Sequence, residues 1–331
     1  MIISRRRVRF IWRSLLNCVG RLGKKFNVGT LAFNSSTNVK PYPYRVREIL
    51  DASLPTDPLV DSSPLPTLDV AIPCTIKDLP LLESVVRAAV ECSRNPIDEI
   101  NVIVPATHMN TFAEYVASRL QPSFNLQLKN EELLLGKFLD VCELVAPPSR
   151  RGWLIQQVAK YLAVIHSNRQ GVLVIDSDTV LSRKRTWLAP DGKQLVMMSF
   201  EYHAPYQLHY NRFRNIINPQ SRPVNPRVSF VTHHQLMQSN FLTEMLGGEA
   251  LWQHGLETWI RSADFQEKSP LCEYHCYGTY LTTTTNYGSF ARWGNRALSR
   301  RDCDLTVLDN IQIRDFTKQG INSVSQHSYL L

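Results

Sequence analysis

One segment constrains this chain more than any other: Gly171-Val172-Leu173-Val174-Ile175, five residues with no polar side chain, followed at once by Asp176-Ser177-Asp178. A strand covered by packing on one face alternates apolar and polar residues. A continuous apolar run bounded by Gly and Asp is instead the signature of a central parallel strand covered on both faces. Open parallel sheets bind ligands in the crevice beyond the carboxyl ends of their strands. Asp176 and Asp178 fall at such an end.

The preceding residues supply the rest of a parallel sheet. Leu68–Pro73 reads as a short strand ended by Pro73, and Asp78–Arg94 repeats apolar residues at helical spacing with Pro80 in its first turn. Glu99–Pro105 reads as a second strand, Thr111–Leu120 as a helix, Phe124–Leu128 as a third strand and Glu131–Leu139 as a short helix. Gly152–Ser167 is the longest helical pattern before the motif, with Leu154, Ile155, Val158, Tyr161, Leu162 and Ile165 on its apolar face and Gln156, Gln157 and Lys160 facing elsewhere. Alternating strands and helices imply α/β architecture with right-handed crossovers, a mostly parallel sheet flanked by helices. Beyond it we expect a strand at Gln194–Phe200, an irregular Pro-rich stretch over 201–228, a short strand at Phe230–Thr232, and helices at Gln235–Leu246 and Glu249–Arg261. Short segments at Val307–Asp309 and Ile311–Arg314 close the chain.

Charge narrows the partners. The net charge is +8, and residues 1–25 carry Arg5, Arg6, Arg7, Arg9, Arg13, Arg21, Lys24 and Lys25 with no acid. The rest of the chain is therefore balanced, and a nucleic-acid-binding body, which needs its basic excess on the folded surface, is not expected. Residues 1–26 read either as a disordered basic tail or as a basic amphipathic helix able to lie on an anionic membrane surface. Residues 27–66 have linker composition. The folded domain runs from 67 to 331, with a ligand-binding half at 67–200 and an irregular half at 201–331. No apolar run reaches the ~18 residues of a membrane span. The seven cysteines form no CxxC pair, and Cys272 and Cys276 flanking His275 make too sparse a set for a metal site. Reduced thiols in a cytoplasmic protein, with possible contact to the inner face of the membrane through the tail, are the expectation.

Two carboxylates two residues apart in a turn can aim oxygens at one divalent cation, and Mg²⁺ or Mn²⁺ shares its remaining positions with water and substrate phosphates. The opening strand with Pro73, the helix Gly152-Trp153-Leu154-Ile155-Gln156-Gln157-Val158-Ala159-Lys160 and Val172–Asp178 occur in an order that resembles GT-A-type glycosyltransferases. More narrowly, the chain is similar to bacterial glycosyltransferase-like proteins of unassigned specificity, in which a His-His segment and a Glu-Tyr-x-x-Tyr-Gly segment follow. Here these are Phe230-Val231-Thr232-His233-His234 and Glu273-Tyr274-His275-Cys276-Tyr277-Gly278.

The resemblance implies a GT-A-like domain that moves a sugar from a nucleotide diphosphate donor to a glycan or lipid-linked acceptor, in surface polysaccharide synthesis. Asp176 and Asp178 would bind metal and diphosphate, with Pro73, Gln156, Lys160 and Ser177 completing the donor site. His233 or His234 is the candidate for a further metal ligand. If the reaction inverts, a base must take the acceptor proton; Glu273 is the first candidate, with Gly278 allowing a tight turn nearby, and Glu201 is the second. Two alternatives stay open. Asp176-Ser177-Asp178-Thr179-Val180-Leu181 also resembles the nucleophile loop of haloacid dehalogenase-like phosphatases, and a domain that only binds nucleotide or glycan would keep the same fold.

Overall fold

The computed structural model describes residues 58–59, 64–120, 123–199, 203–221, 229–291, 295–297 and 321–326. The tail at 1–26, nearly all of the linker, Glu201 and the closing segments 307–309 and 311–314 lie outside them.

The expected alternation forms. β1 (Leu68–Pro73) leads through a 3-10 turn at Ile76–Leu81 into α1 (Leu82–Glu91). β2 (Ile97–Val104), α2 (Met109–Arg119) and β3 (Leu126–Asn130) follow. The single helix expected at 131–139 is two, α3 (Glu131–Leu135) and α4 (Phe138–Val145), separated at Gly136, whose φ of 51° breaks the helical path. α5 (Pro148–Ile165) begins one turn earlier than its apolar pattern, with Pro148 in the first helical position where its missing N–H costs nothing. It delivers the chain to β4 (Gly171–Ile175), all five residues buried.

β5 (Thr179–Leu181), β6 (Gln194–Met197), α6 (Ala204–Ile217), β7 (His234–Gln238), α7 (Ser239–Met245), α8 (Trp252–Arg261), α9 (Glu273–Thr284), β8 (Gly288–Ala291), β9 (Asn295–Ala297) and β10 (Ser323–Ser325) complete the order. The main sheet runs β3-β2-β1-β4-β7. Its first four strands are parallel, and β7 closes the edge antiparallel to β4 with Ile175 opposite His234. The sheet is thus mostly parallel, in a mixed α/β fold. β5-β10-β9 and β6-β8 form two small sheets. Strands from 201–331 pair with β4, β5 and β6, so the two halves drawn from sequence share their sheets.

Other expectations change. Residues 230–232, expected to form a short strand, lie in none; the strand begins at His234. Residues 204–217, expected to be irregular, form α6, which buries Tyr210 and Phe213. Residues 235–238, expected to open a helix, form β7 because pairing with β4 satisfies their backbone; the helix starts at Ser239. Gly278 makes no turn. It lies inside α9, where an added Cβ would stand 2.4 Å from the Phe230 ring, so the glycine lets helix and ring approach.

The sheet separates two apolar layers. Ala71, Ile103, Val172 and Val174 face a cluster containing α5, α7, α8 and α9. Val70, Ile72, Leu173 and Ile175 face the other, with α1, α2, Val180, Leu181 and Val324. α5 is covered by the sheet on one side and by neighbouring helices on others. Gln157 and Lys160, expected away from its apolar face, are consequently buried.

Candidate functional site

The strand alternation of β4 dictates how the acidic turn is built. Val172 and Val174 point into the α5 layer, and Asp176, two residues further, keeps that direction; Ser177 takes the opposite one. Thr179 N–H donates to the Asp176 carbonyl at 3.0 Å, which closes a four-residue turn, and Asp is favoured at the first position of such turns. Ser177 is buried, and its hydroxyl donates to Asp78 Oδ2 at 3.0 Å, tying the turn to the segment that follows β1. Pro73 ends β1 in the core opposite Ile103.

Asp176 is the hub. Its Oδ1 accepts from Lys160 Nζ at 2.5 Å and from Tyr274 Oη at 2.8 Å. Its Oδ2 lies 3.1 Å from His233 Nδ1, and its N–H donates to the His233 carbonyl at 2.9 Å. His233 has φ 61°, the only non-glycine among the described residues in the left-handed region. Such a conformation is costly for a side chain bearing Cβ and persists where the surroundings over-determine it. Here it turns the ring onto Asp176 just before β7 begins.

Behind Asp176 stands a buried ion pair. Lys160 Nζ donates to Glu273 Oε1 at 2.6 Å, with the Lys160 side chain 5% exposed and that of Glu273 1%. Glu273 is the first residue of α9, where the positive end of the helix dipole favours a carboxylate. Tyr161 Oη donates to its backbone carbonyl at 2.9 Å, and the Gln157 amide lies against its carboxylate, donating at 2.9 Å with the nitrogen turned towards it. Lys160 also sits 4.5 Å from the centre of the Tyr274 ring. Burial pulls the Lys160 pKa down, but Asp176 and Glu273 outweigh it and hold the ammonium charged. Burial raises Asp176, yet Lys160 and then His233 overcome it and keep this carboxylate ionised. Glu273 goes the other way: burial, with Asp176 adding, raises its pKa despite Lys160.

The candidates therefore divide. Asp176, Lys160, His233 and Glu273 come together, joined by Tyr274, Gln157 and Tyr161, which the sequence did not single out. Asp178 is half-exposed beside them in the turn, accepting from Thr179 Oγ1 at 3.3 Å. Gln156 is half-buried on α5. His234 is not brought in. Alternation places it on the opposite face of β7, 1% exposed, with Nε2 3.3 Å from Met197 Sδ and Trp187 packed edge-on. Burial drives its pKa down to about 3, so it is a neutral core residue. Lys160, expected to reach a phosphate or stand in solvent, is enclosed between two carboxylates. His275, between the paired cysteines, is also a core residue, hydrogen-bonded to Gln207 at 2.9 Å. The five cysteines among the described residues are free and buried.

Among the described residues no three His, Cys, Asp or Glu side chains form a metal-ligand group. Two stand together where a cation could reach them. His233 Nδ1 and Asp176 Oδ2 are hydrogen-bonded at 3.1 Å and partly reachable from solvent, so a cation held by both would replace that hydrogen bond. This pair fits a cation that shares its other positions with water and substrate phosphates, and does not fit an all-protein cage.

The fold and site define a mixed α/β domain with an acidic turn at the carboxyl end of its central strand and a buried cation behind it. No protein-family model and no curated protein matches the chain. Solved structures similar to it are glycosyltransferases. Mouse xyloside xylosyltransferase 1 aligns at 12% identity and TM-score 0.42, covering 80% of this chain and 99% of that one. The galactosyltransferase LgtC, in complex with donor and acceptor sugar analogs, aligns at 13% and 0.38, covering 78% and 87%. The mannosyltransferase Ktr4p from S. cerevisiae aligns at 9% and 0.44, covering 75% and 77%. Likenesses this loose transfer no residue roles. Among the described residues no helix is long and apolar enough to cross a membrane.

Proposed function

We propose that this chain is a metal-dependent glycosyltransferase acting on a nucleotide diphosphate sugar. The observation that carries the reading is the placement of Asp176 and Asp178: partly exposed carboxylates in one tight turn, directly beyond a fully buried central parallel strand. Ligands gather at that edge of an open sheet. Asp176 and His233 would hold a divalent cation, Mn²⁺ or Mg²⁺, with Asp178 beside them. Bound there, such an ion neutralises charge on a diphosphate leaving group.

The chain's own residues do the positioning. Lys160 and Tyr274 fix Asp176 Oδ1, which leaves Oδ2 to face His233. Glu273 is enclosed, so we assign it to holding Lys160 rather than to taking the acceptor proton. Gln156, half-buried on α5, is proposed to contact the donor. The acceptor in this reading is a hydroxyl of a glycan or a lipid-linked sugar, in surface polysaccharide synthesis, with residues 1–26 able to bring the enzyme to an anionic membrane face. The phosphatase alternative places such a loop after the first strand of its domain, whereas here β1, β2 and β3 precede β4.

A thermal-shift screen of UDP, GDP, CMP and their common sugars, with and without Mn²⁺, tests the reading. A ligand that binds only the native state raises its stability. Metal-dependent stabilisation by one nucleotide is the expected result. Silence across the panel, with turnover of a generic phosphate ester, would overturn it.

A further inference from the structure

The strand order β3-β2-β1-β4 reverses between β1 and β4, and an open sheet places its ligand crevice at such a reversal. β1 and β4 pair only as far as Ala71 and Val174. Beyond that rung the ladder stops: one chain enters the 3-10 turn at Ile76–Leu81 and the other the acidic turn. A side chain joins them again. Ser177 Oγ donates to Asp78 Oδ2 at 3.0 Å, across 99 positions of sequence, and Thr75 Oγ1 donates to the same oxygen at 3.3 Å. One carboxylate oxygen thus takes a hydroxyl from the segment after each strand.

Asp78 and Ser177 are both buried, so the bond between them is made largely away from water, where a hydrogen bond is stronger. The acidic residues on either side of Ser177 are held in different ways. Asp176 is fixed through its own carboxylate, by Lys160 and Tyr274. Asp178 is fixed through the main chain: its carbonyl accepts from Gln326 N–H at 2.9 Å, and the residue before it is anchored on Asp78. A hydroxyl has one hydrogen to give, and that of Ser177 is committed to Asp78. Asp78 also builds its own turn, with its N–H donating to the Thr75 carbonyl at 2.9 Å. That local bond does not involve Ser177.

We propose that Asp78 is a positioning residue: through Ser177 it holds the acidic turn, and with it the direction of the Asp178 carboxylate, in place against the segment that follows β1. What the turn binds rests on the transferase reading. The proposal adds to that reading a residue outside the motif, and assigns Ser177 to the anchor instead of to the donor site.

The test compares the full-length wild type with Asp78→Ala, Asp78→Asn, Ser177→Ala and the double Ala variant. Amide hydrogen exchange without ligand reads the turn itself, through the Thr179 N–H that donates to the Asp176 carbonyl. Exchange there should quicken about tenfold in each single Ala variant, the effect of one hydrogen bond, and no further in the double. Asp78→Asn keeps an oxygen that accepts from Ser177 and should exchange as wild type does. Calorimetric titration with UDP and GDP, each with Mn²⁺, should follow the same pattern. The nucleotide that wild type binds should bind about tenfold more weakly to either Ala variant, no more weakly again to the double, and normally to Asp78→Asn. An Asp78 that only builds its own turn would leave Ser177→Ala like wild type, and that result overturns the proposal. Losses that add in the double variant overturn it too, because the two residues would then act separately. So does an Asp78→Asn as weak as Asp78→Ala, which would make the charge and not the hydrogen bond the cause. A wild type that binds neither nucleotide, with exchange responding as stated, overturns the transferase reading and leaves the anchor standing.

Discussion

Lys160 Nζ lies 2.6 Å from Glu273 Oε1, two opposite charges brought together across 113 positions of sequence and sealed from solvent. The same ammonium reaches Asp176 at 2.5 Å, so one buried cation answers two carboxylates. Taking charges out of water is expensive, and removing one partner of such a set leaves the others uncompensated.

Lys160→Met keeps the length of the side chain and deletes its charge. We expect it to destabilise the protein by about 3–5 kcal/mol. Adding Glu273→Gln should recover part of the loss, because it removes one stranded carboxylate. Urea unfolding of both variants is the check. A single variant within 1 kcal/mol of wild type would mean that Lys160 does not hold this cluster.

His233 gives a second outcome. At φ 61° a Cβ is penalised and glycine is not. His233→Gly should therefore be more stable than His233→Ala by about 1 kcal/mol, although neither retains a ring. Both should lose Mn²⁺-dependent nucleotide binding. Equal stability of the two variants in urea would show that the left-handed backbone is not retained in solution.

Much of this arrangement was legible in the sequence. The apolar run 171–175 located a buried interior strand of the main sheet, because a strand buried on both faces tolerates no polar side chain. α5 was legible from its period. The environment of Lys160 was not, since Glu273 and Tyr274 come from α9 and its burial from helix packing that no local window records. β7 was read as helix because Leu236, Met237, Phe241 and Leu242 fit a helical spacing, and only pairing with β4 decides against it. α6 was missed because its aromatic and polar face is buried by partners remote in sequence, including His209 against the Trp259 carbonyl at 2.8 Å. Of the site residues, Tyr274 stood in a quoted motif without a role.

Glu131 supplies a pH signature independent of the site. It is buried at the start of α3, where burial, with Glu132 adding, raises its carboxyl to about 7. A folded value above the unfolded one makes the wild type lose stability as pH rises from the ordinary carboxylate range through 7. Glu131→Gln does not titrate. Its stability relative to wild type should thus be greater at pH 8 than at pH 5, by about 2 kcal/mol. Urea unfolding at the two values is the measurement, and a difference that stays constant with pH contradicts the raised value.

The central claim is that the turn Asp176–Asp178 binds metal and diphosphate for sugar transfer. The most direct measurement is Mn²⁺-dependent release of nucleoside diphosphate from its nucleotide sugar, comparing wild type with Asp178→Asn. Asp178 is half-exposed, so this variant should fold with an unchanged melting temperature. The account predicts release by wild type that stops on chelation and falls about 100-fold or more in Asp178→Asn, as expected when charge stabilisation in the transition state is removed. Release that is indifferent to chelation and equal in the two proteins would contradict it.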